Sequence, residues 1–204
     1  MTDATYIKEF YRLQASLYDA TRWLTLHGRR AAVRALDIGA HHDILEIGCG
    51  TGLNFPMLAE RVDHPRMIVG VDFSPDMLAV ARRRVLVGGW KNIDVIEADA
   101  SHLALGRRFD RVLFAYSASM MPAWKEALAR AREHLTPGGR ITVLDFGDFR
   151  GWSLLSPMMR RWLTLNHTEA GRPFASVLRS LVGTVTVEHG LGGYYVIASA
   201  DQEG

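Results

Sequence analysis

Cysteine is nearly absent from this chain, with Cys49 the single one among 204 residues. An internal disulfide is thereby excluded, and so is a cysteine-based metal cluster. Long hydrophobic runs are missing as well. No stretch of about 18 apolar residues exists to span a bilayer, and no N-terminal apolar segment resembles a signal peptide, so a cytoplasmic protein is expected. Neither sign of charge dominates: 24 Lys and Arg against 22 Asp and Glu leave a formal net charge of +2. That excess is too small to point to nucleic acid by itself. Repeats, low-complexity tracts and linkers are absent, and no Ser/His/Asp order or pair of acids has catalytic spacing. The 8 histidines are scattered, so no metal site is expected. A hydrophobic share of 48% suits a full core, but 204 residues leave no room for a second substrate domain. Residues 1–204 are read as one domain.

Apolar periodicity supplies the organisation. Tyr6, Phe10, Leu13 and Leu17 recur at helical spacing over 4–19, and a second helix is expected from Trp23 to Leu36. Together residues 1–40 form an N-terminal helical cap. Strands are expected at Asp43–Ile47, Met67–Val71, Ile93–Glu97, Arg111–Ala115 and Ile141–Phe146. Helices alternate with them over Leu53–Arg61, from Pro75 to Val87 and from Pro122 to Leu135. Ser74 is read as a cap with Pro75 in the first helical position. Thr136-Pro137-Gly138-Gly139 reads as a turn into the fifth strand. A lid-like insertion, 148–172, breaks the repeating pattern, and Pro157 argues against one smooth helix there. A short helix, Phe174–Val182, and an antiparallel pair, Thr184–Glu188 and Tyr194–Ala200, close the chain. The fold class is α/β: a Rossmann-like, seven-stranded, mostly parallel sheet with an antiparallel last strand and helices on both faces.

The chemistry concentrates in Ile44-Leu45-Glu46-Ile47-Gly48-Cys49-Gly50-Thr51-Gly52 and in the later Val69-Gly70-Val71-Asp72. A strand that turns on glycines lets the backbone approach a ligand, and the next helix opens with free N–H groups. A carboxylate ending the neighbouring strand, Asp72, can accept hydrogen bonds from ribose hydroxyls. The nicotinamide fingerprint needs Gly-x-Gly-x-x-Gly, whereas the third glycine here comes one residue early.

With Glu46 before the glycines, Asp72 after the second strand and Asp99 after the third, the chain resembles the class I S-adenosylmethionine-dependent methyltransferases. The resemblance implies that Gly48, Gly50 and Gly52 carry the methionine part, Asp72 holds the ribose and Asp99 meets the adenine. S-adenosylhomocysteine (SAH) would be the product. Phe73 could lie on the adenine face with Met77 behind it, or both could be ordinary core. Ala100 and Ser101 could meet the adenine edge, and Cys49 reads as a small filler beside the cofactor. The resemblance also implies that the Tyr18-Asp19 pair covers the cofactor, with Arg29 and Arg30 in a basic segment near the methionine carboxylate.

Methyl transfer from a sulfonium is an in-line displacement, so positioning and water exclusion matter more than a fixed triad. Tyr18 and Tyr116 are the candidate catalytic residues, with a packed tyrosine the alternative at Tyr116. The N- and C-terminal segments resemble bacterial phospholipid N-methyltransferases acting on phosphatidylethanolamine or diacylglyceryl homoserine. That likeness assigns Tyr11, Arg22 and Tyr194 to the substrate side. Trp152, Arg160 and Arg161, among the apolar residues and arginines of 150–172, suit a lid on an anionic membrane surface. The partner expected is thus a lipid amine, with peripheral attachment to the inner membrane face. The composition serves a lid that only packs over the sheet equally well. Asp145 and His167 are conceivable general bases. Competing readings are a small-molecule or quinone C/O-methyltransferase and a non-catalytic cofactor-binding regulator. A nucleic-acid enzyme is disfavoured, because Phe114-Ala115-Tyr116-Ser117 stands where a base-flipping motif would be.

Overall fold

The computed structural model describes residues 27–63, 66–152, 155–165 and 167–202. The helix expected over 4–19, with Tyr11, Tyr18 and Asp19, lies outside them, as does Arg22.

Seven strands form one sheet: β1 (Ile44–Ile47), β2 (Ile68–Asp72), β3 (Ile93–Glu97), β4 (Phe109–Ala115), β5 (Leu135–Phe146), β6 (Val185–Gly190) and β7 (Tyr195–Asp201). Their order is β3-β2-β1-β4-β5-β7-β6. Strands β1 to β5 pair in parallel, and β7 runs antiparallel to both β5 and β6. The helices are α1 (Arg29–Ala35), α2 (Phe55–Ala59), α3 (Pro75–Gly88), α4 (Trp124–Glu133), α5 (Ser156–Leu165) and α6 (Phe174–Leu181). This is the doubly wound architecture that the alternating pattern implies.

All four residues of β1 are buried, as expected of a central parallel strand covered on both faces. Leu45 and Ile47 face a core shared with α4 and α6 (Trp124, Leu128, Phe174, Leu178). Ile44 faces the other core, shared with α1, α2, α3 and α5 (Val33, Phe55, Leu78, Leu163). Phe55 is the keystone of that second layer. Its ring occupies the space left by two glycines, since a Cβ on Gly52 or Gly70 would sit 2.5 or 2.6 Å from ring atoms.

As Pro157 suggested, the described residues of 148–172 do not form one smooth helix, while one other local reading needs correction. Helix α5 starts at Ser156, so Pro157 falls in its first turn, where the missing N–H leaves no bond unmade. The proline opens a continuous helix there. The Thr136–Gly139 stretch lies inside β5: Leu135 already pairs with Phe109, and a register shift before Arg111 absorbs the extra residues as a bulge. By contrast, the Ser74 hydroxyl does cap α3, accepting the Met77 N–H at 3.4 Å. No helix among the described residues is long and apolar enough to cross a membrane.

Truncation of Phe55, fully buried between the two glycines, leaves a cavity that rigid strand backbone cannot close. Phe55→Ala is expected to destabilise the fold by about 3–5 kcal/mol in urea unfolding. A loss under about 1 kcal/mol would show that the ring is not a keystone.

Candidate active site

The strand order reverses beside β1, and the chain leaves β1, β2 and β4 on the same edge of the sheet. A crevice must open there, because the connections depart in opposite directions. A cavity of about 280 Å³ occupies it, lined by Gly48, Gly50, Asp72, Phe73, Met77, Asp99, Ala100, Ser101, Tyr116 and Ser117, with Met120 to Ala123 and Ala127 opposite.

The glycine turn hangs on the end of β2: the N–H groups of Gly48 and Cys49 both donate to the Val71 carbonyl, at 2.8 and 3.0 Å. Gly48 has φ +71°, and a Cβ there would meet the Ser117 Cβ at 2.3 Å. Gly50 has φ +54°, and its missing Cβ faces open space. One glycine thus admits the neighbouring strand and the other leaves the crevice clear. The Asp72 carboxylate closes the turn, accepting from the Gly50 N–H at 2.8 Å and from the Ser74 N–H at 3.0 Å. Burial pushes its pKa up, opposed by the N–H groups of Ser74, Gly50 and Phe73. Cys49 and Gly52 are not on the cavity wall. The Cys49 thiol is buried, close to Gly70, and burial raises its pKa well above the usual thiol value.

Asp99 caps the short helical turn Ala100–His102, accepting from the Ser101 N–H at 2.8 Å and its hydroxyl at 2.7 Å. Partial burial raises its pKa, but the Ser101 and His102 hydrogen bonds outweigh that and hold the carboxyl low. An exposed, ionised acceptor results. Phe73 and Met77 both line the cavity, Met77 buried and Phe73 partly exposed.

Glu46 does not line the cavity but lies just behind the glycine turn, almost fully buried. One carboxylate oxygen accepts from the Asn54 amide at 2.6 Å, and Arg29 in turn donates to the Asn54 carbonyl at 2.8 Å. The other oxygen has no protein partner among the described residues. Burial drives its pKa up to about 7, against the pull of Asn54 and Arg29. Asn54 carries no motif, and only the tertiary contact reveals it.

Tyr116 ends β4 with φ +57°, a left-handed conformation uncommon for a tyrosine. Its hydroxyl donates to the His27 carbonyl, which fixes the chain just before α1. Burial pushes its pKa well up, so it serves as a neutral donor. Its ring begins an aromatic series: Tyr116 to Phe146 at 4.9 Å, Phe146 to Tyr194 at 5.7 Å, and Tyr194 to Trp152 at 5.7 Å, with Phe149 5.6 Å from Tyr194. Tyr194 and Trp152 therefore belong to a wall that leads away from the cavity.

The arginines read as a membrane cluster are largely engaged within the protein. Arg172 donates to the carbonyls of Ala118 and Met121, both at 2.7 Å, and pairs with Glu169. Arg150 is paired with Asp148, and Arg160 donates to the Asp148 carbonyl. Arg161 is exposed. Asp145 is fully buried and accepts from the N–H groups of Ser119 and Phe146, both at 2.8 Å. Burial raises its pKa to about 6 despite those bonds and Arg172. With Arg172 it holds the turn that carries Met120 and Met121 over the cavity. Neither Asp145 nor His167 lines the cavity.

Glu46 has a folded pKa above its ordinary 4.5. The folded chain therefore binds more protons than the unfolded one between pH 4.5 and about 7, and stability falls as pH rises through that window. Glu46→Gln keeps the Asn54 contact and removes the charge. In the absence of cofactor, its stability relative to wild type should improve by about 2–3 kcal/mol between pH 5 and pH 8, read by urea unfolding at each pH. A pH-independent difference would refute the buried, ionising carboxyl.

A family profile described as "Methyltransferase domain" matches residues 44–139. Aklanonic acid methyltransferase DauC of Streptomyces sp. strain C5 is 32% identical over 191 residues, covering 88% of this chain and 86% of that protein. Demethylmenaquinone methyltransferase of Thermus thermophilus is 38% identical over 122 residues, covering 59% of this chain and 54% of that protein. Among solved structures, DhpI in its SAH complex superposes with a TM-score of 0.71 at 21% identity, covering 97% of this chain and 95% of that one. The residues present fit the cofactor those names imply: an open cradle at Gly50, an orphaned buried carboxylate oxygen on Glu46 and a carboxylate, Asp72, on the cavity wall at the end of β2. The cofactor carries the transferable methyl on a sulfonium. The chain belongs to the S-adenosylmethionine-dependent methyltransferases.

Proposed function

We propose that the chain methylates a planar small molecule of the quinone or aromatic class, at oxygen or carbon. The observation that carries this is the largely apolar cavity wall, where Phe73, Tyr116, Met120, Met121 and Ala127 surround the space beside the glycine turn. Apolar and aromatic walls of this kind pack against the faces of a planar acceptor. The relatives named for aklanonic acid and demethylmenaquinone support the same class. The lipid-amine reading loses ground for a physical reason as well: Arg150, Arg160 and Arg172, which a phosphate headgroup would need, are already engaged within the protein.

In this reading Gly48 and Gly50 admit the methionine part of the cofactor, with the buried Glu46 carboxyl behind their turn. Asp72 holds the ribose, Asp99 and Ser101 meet the adenine edge, and Phe73 and Met77 pack against its face. Tyr116 orients the acceptor side by fixing the chain at His27, while Met120 and Met121 on the cavity wall exclude water from the displacement. Tyr18 would complete the methionine end.

The test supplies labelled S-adenosylmethionine together with a hydroxylated, carboxylated naphthoquinone or anthraquinone, and in parallel phosphatidylethanolamine vesicles. Label should enter the aromatic acceptor. Label confined to the lipid would restore the amine reading, and cofactor binding with transfer to neither would favour a non-catalytic regulator. On the cofactor side, Asp72→Asn removes charge from hydrogen bonds worth about 1.5–3 kcal/mol when ionised. Its affinity for S-adenosylmethionine should fall about 10- to 100-fold by titration calorimetry. Unchanged affinity would remove Asp72 from the ribose site.

A further inference from the structure

Helix α5 packs on the core beside Tyr116 and Phe146, anchored at both ends. Before it, the Trp152 indole N–H donates to the Leu191 carbonyl at 2.8 Å while its ring packs on Tyr194. After it, the Glu169 N–H donates to the Ser119 carbonyl and Arg172 grips the turn over the cavity. The helix buries Leu163 on its inner side and partly covers Met159. Its outer side presents Leu155, Met158, Trp162 and Leu165, which are 53%, 63%, 53% and 71% exposed. Spacings of three, four and three residues put them in one stripe. Leu191, 56% exposed, lies on the turn that Trp152 grips.

Charge beside this stripe is one-sided. The helix carries Arg160 and Arg161 and no acid. The carboxylates on either side of it are occupied, Asp148 by Arg150 at 2.7 Å and Glu169 by Arg172 at 2.9 Å. Four half-exposed side chains amount to a few hundred Å², well short of the ~800 Å² per partner that a stable pair of copies buries. An apolar stripe with an interfacial tryptophan and flanking arginines is instead the composition of a helix that lies in a bilayer surface.

We propose that α5, with Leu191, docks the protein on an anionic lipid surface. The stripe enters the acyl boundary, and the exposed Arg161 meets lipid phosphates while Arg160 stays on the Asp148 carbonyl. This role is separate from the choice of acceptor: the bilayer serves as a docking surface even where no lipid headgroup is methylated.

The experiment uses the full chain and sucrose-loaded vesicles, either phosphatidylcholine alone or phosphatidylcholine with phosphatidylglycerol. Wild type should sediment with the anionic vesicles and leave the neutral ones several-fold less occupied. Trp162→Glu combined with Leu165→Glu should lower anionic-vesicle binding at least 10-fold. Arg161→Glu alone should lower it several-fold and weaken its salt dependence. Unchanged S-adenosylmethionine affinity and thermal midpoint in these variants would separate lost docking from lost folding. Wild type remaining in the supernatant, or a double variant that sediments as well as wild type, would overturn the proposal. So would sedimentation equilibrium showing a dimer that the double variant dissolves, since the face would then belong to a second copy.

Discussion

Strand β1 is buried on every side, and that confinement shapes the rest of the molecule. Its edges are taken by β2 and β4 and its faces by helices, so the chain can leave only at its carboxyl end. There the backbone must clear Ser117, which permits no side chain at Gly48. The turn that results directs two N–H groups at the Val71 carbonyl and a third at Asp72. A packing constraint on one strand thus places the Asp72 carboxylate, an open glycine and a helix start around one crevice.

Charge buried behind that crevice forms a second layer. Glu46, Asn54 and Arg29 make a hydrogen-bonded chain linking β1, the approach to α2 and the start of α1. Asp145 and Arg172 do the same on the other side, fixing the turn after β4 from β5 and from the segment that follows α5. Burial holds both carboxyls above their ordinary pKa values. Such groups are retained at a cost in stability, as expected where a site needs fixed dipoles in a dry setting. Tyr116, in a left-handed conformation between these two arrangements, joins the cofactor side to the aromatic wall.

The sheet was legible because its signals are local. Apolar runs ending in Gly48 and Asp72 mark strand ends, and Ser74-Pro75 marks a helix start; the structure places each within a residue or two. Tertiary structure decides where a local signal has two meanings. Pro157 breaks a helix from the inside but opens one from its first turn, and only the observed start at Ser156 decides between them. Thr136–Gly139 reads as a turn, yet β4 continues to pair with residues on both sides of it. The arginines of the lid misled for a similar reason, since composition does not reveal that Arg172 and Arg160 find carbonyl partners.

The sequence by itself determined the cofactor: glycine spacing and acids at strand ends are contiguous features, and their chemistry follows from strand geometry. It determined the sheet for the same reason. Only the tertiary structure decided what surrounds the reacting end, because those groups come from segments far apart in the chain. Asn54 meets Arg29, Tyr116 meets His27, and Tyr194 meets Trp152 through packing that no local pattern records. Such contacts join residues that are remote in the chain, so they exist only once the sheet has folded.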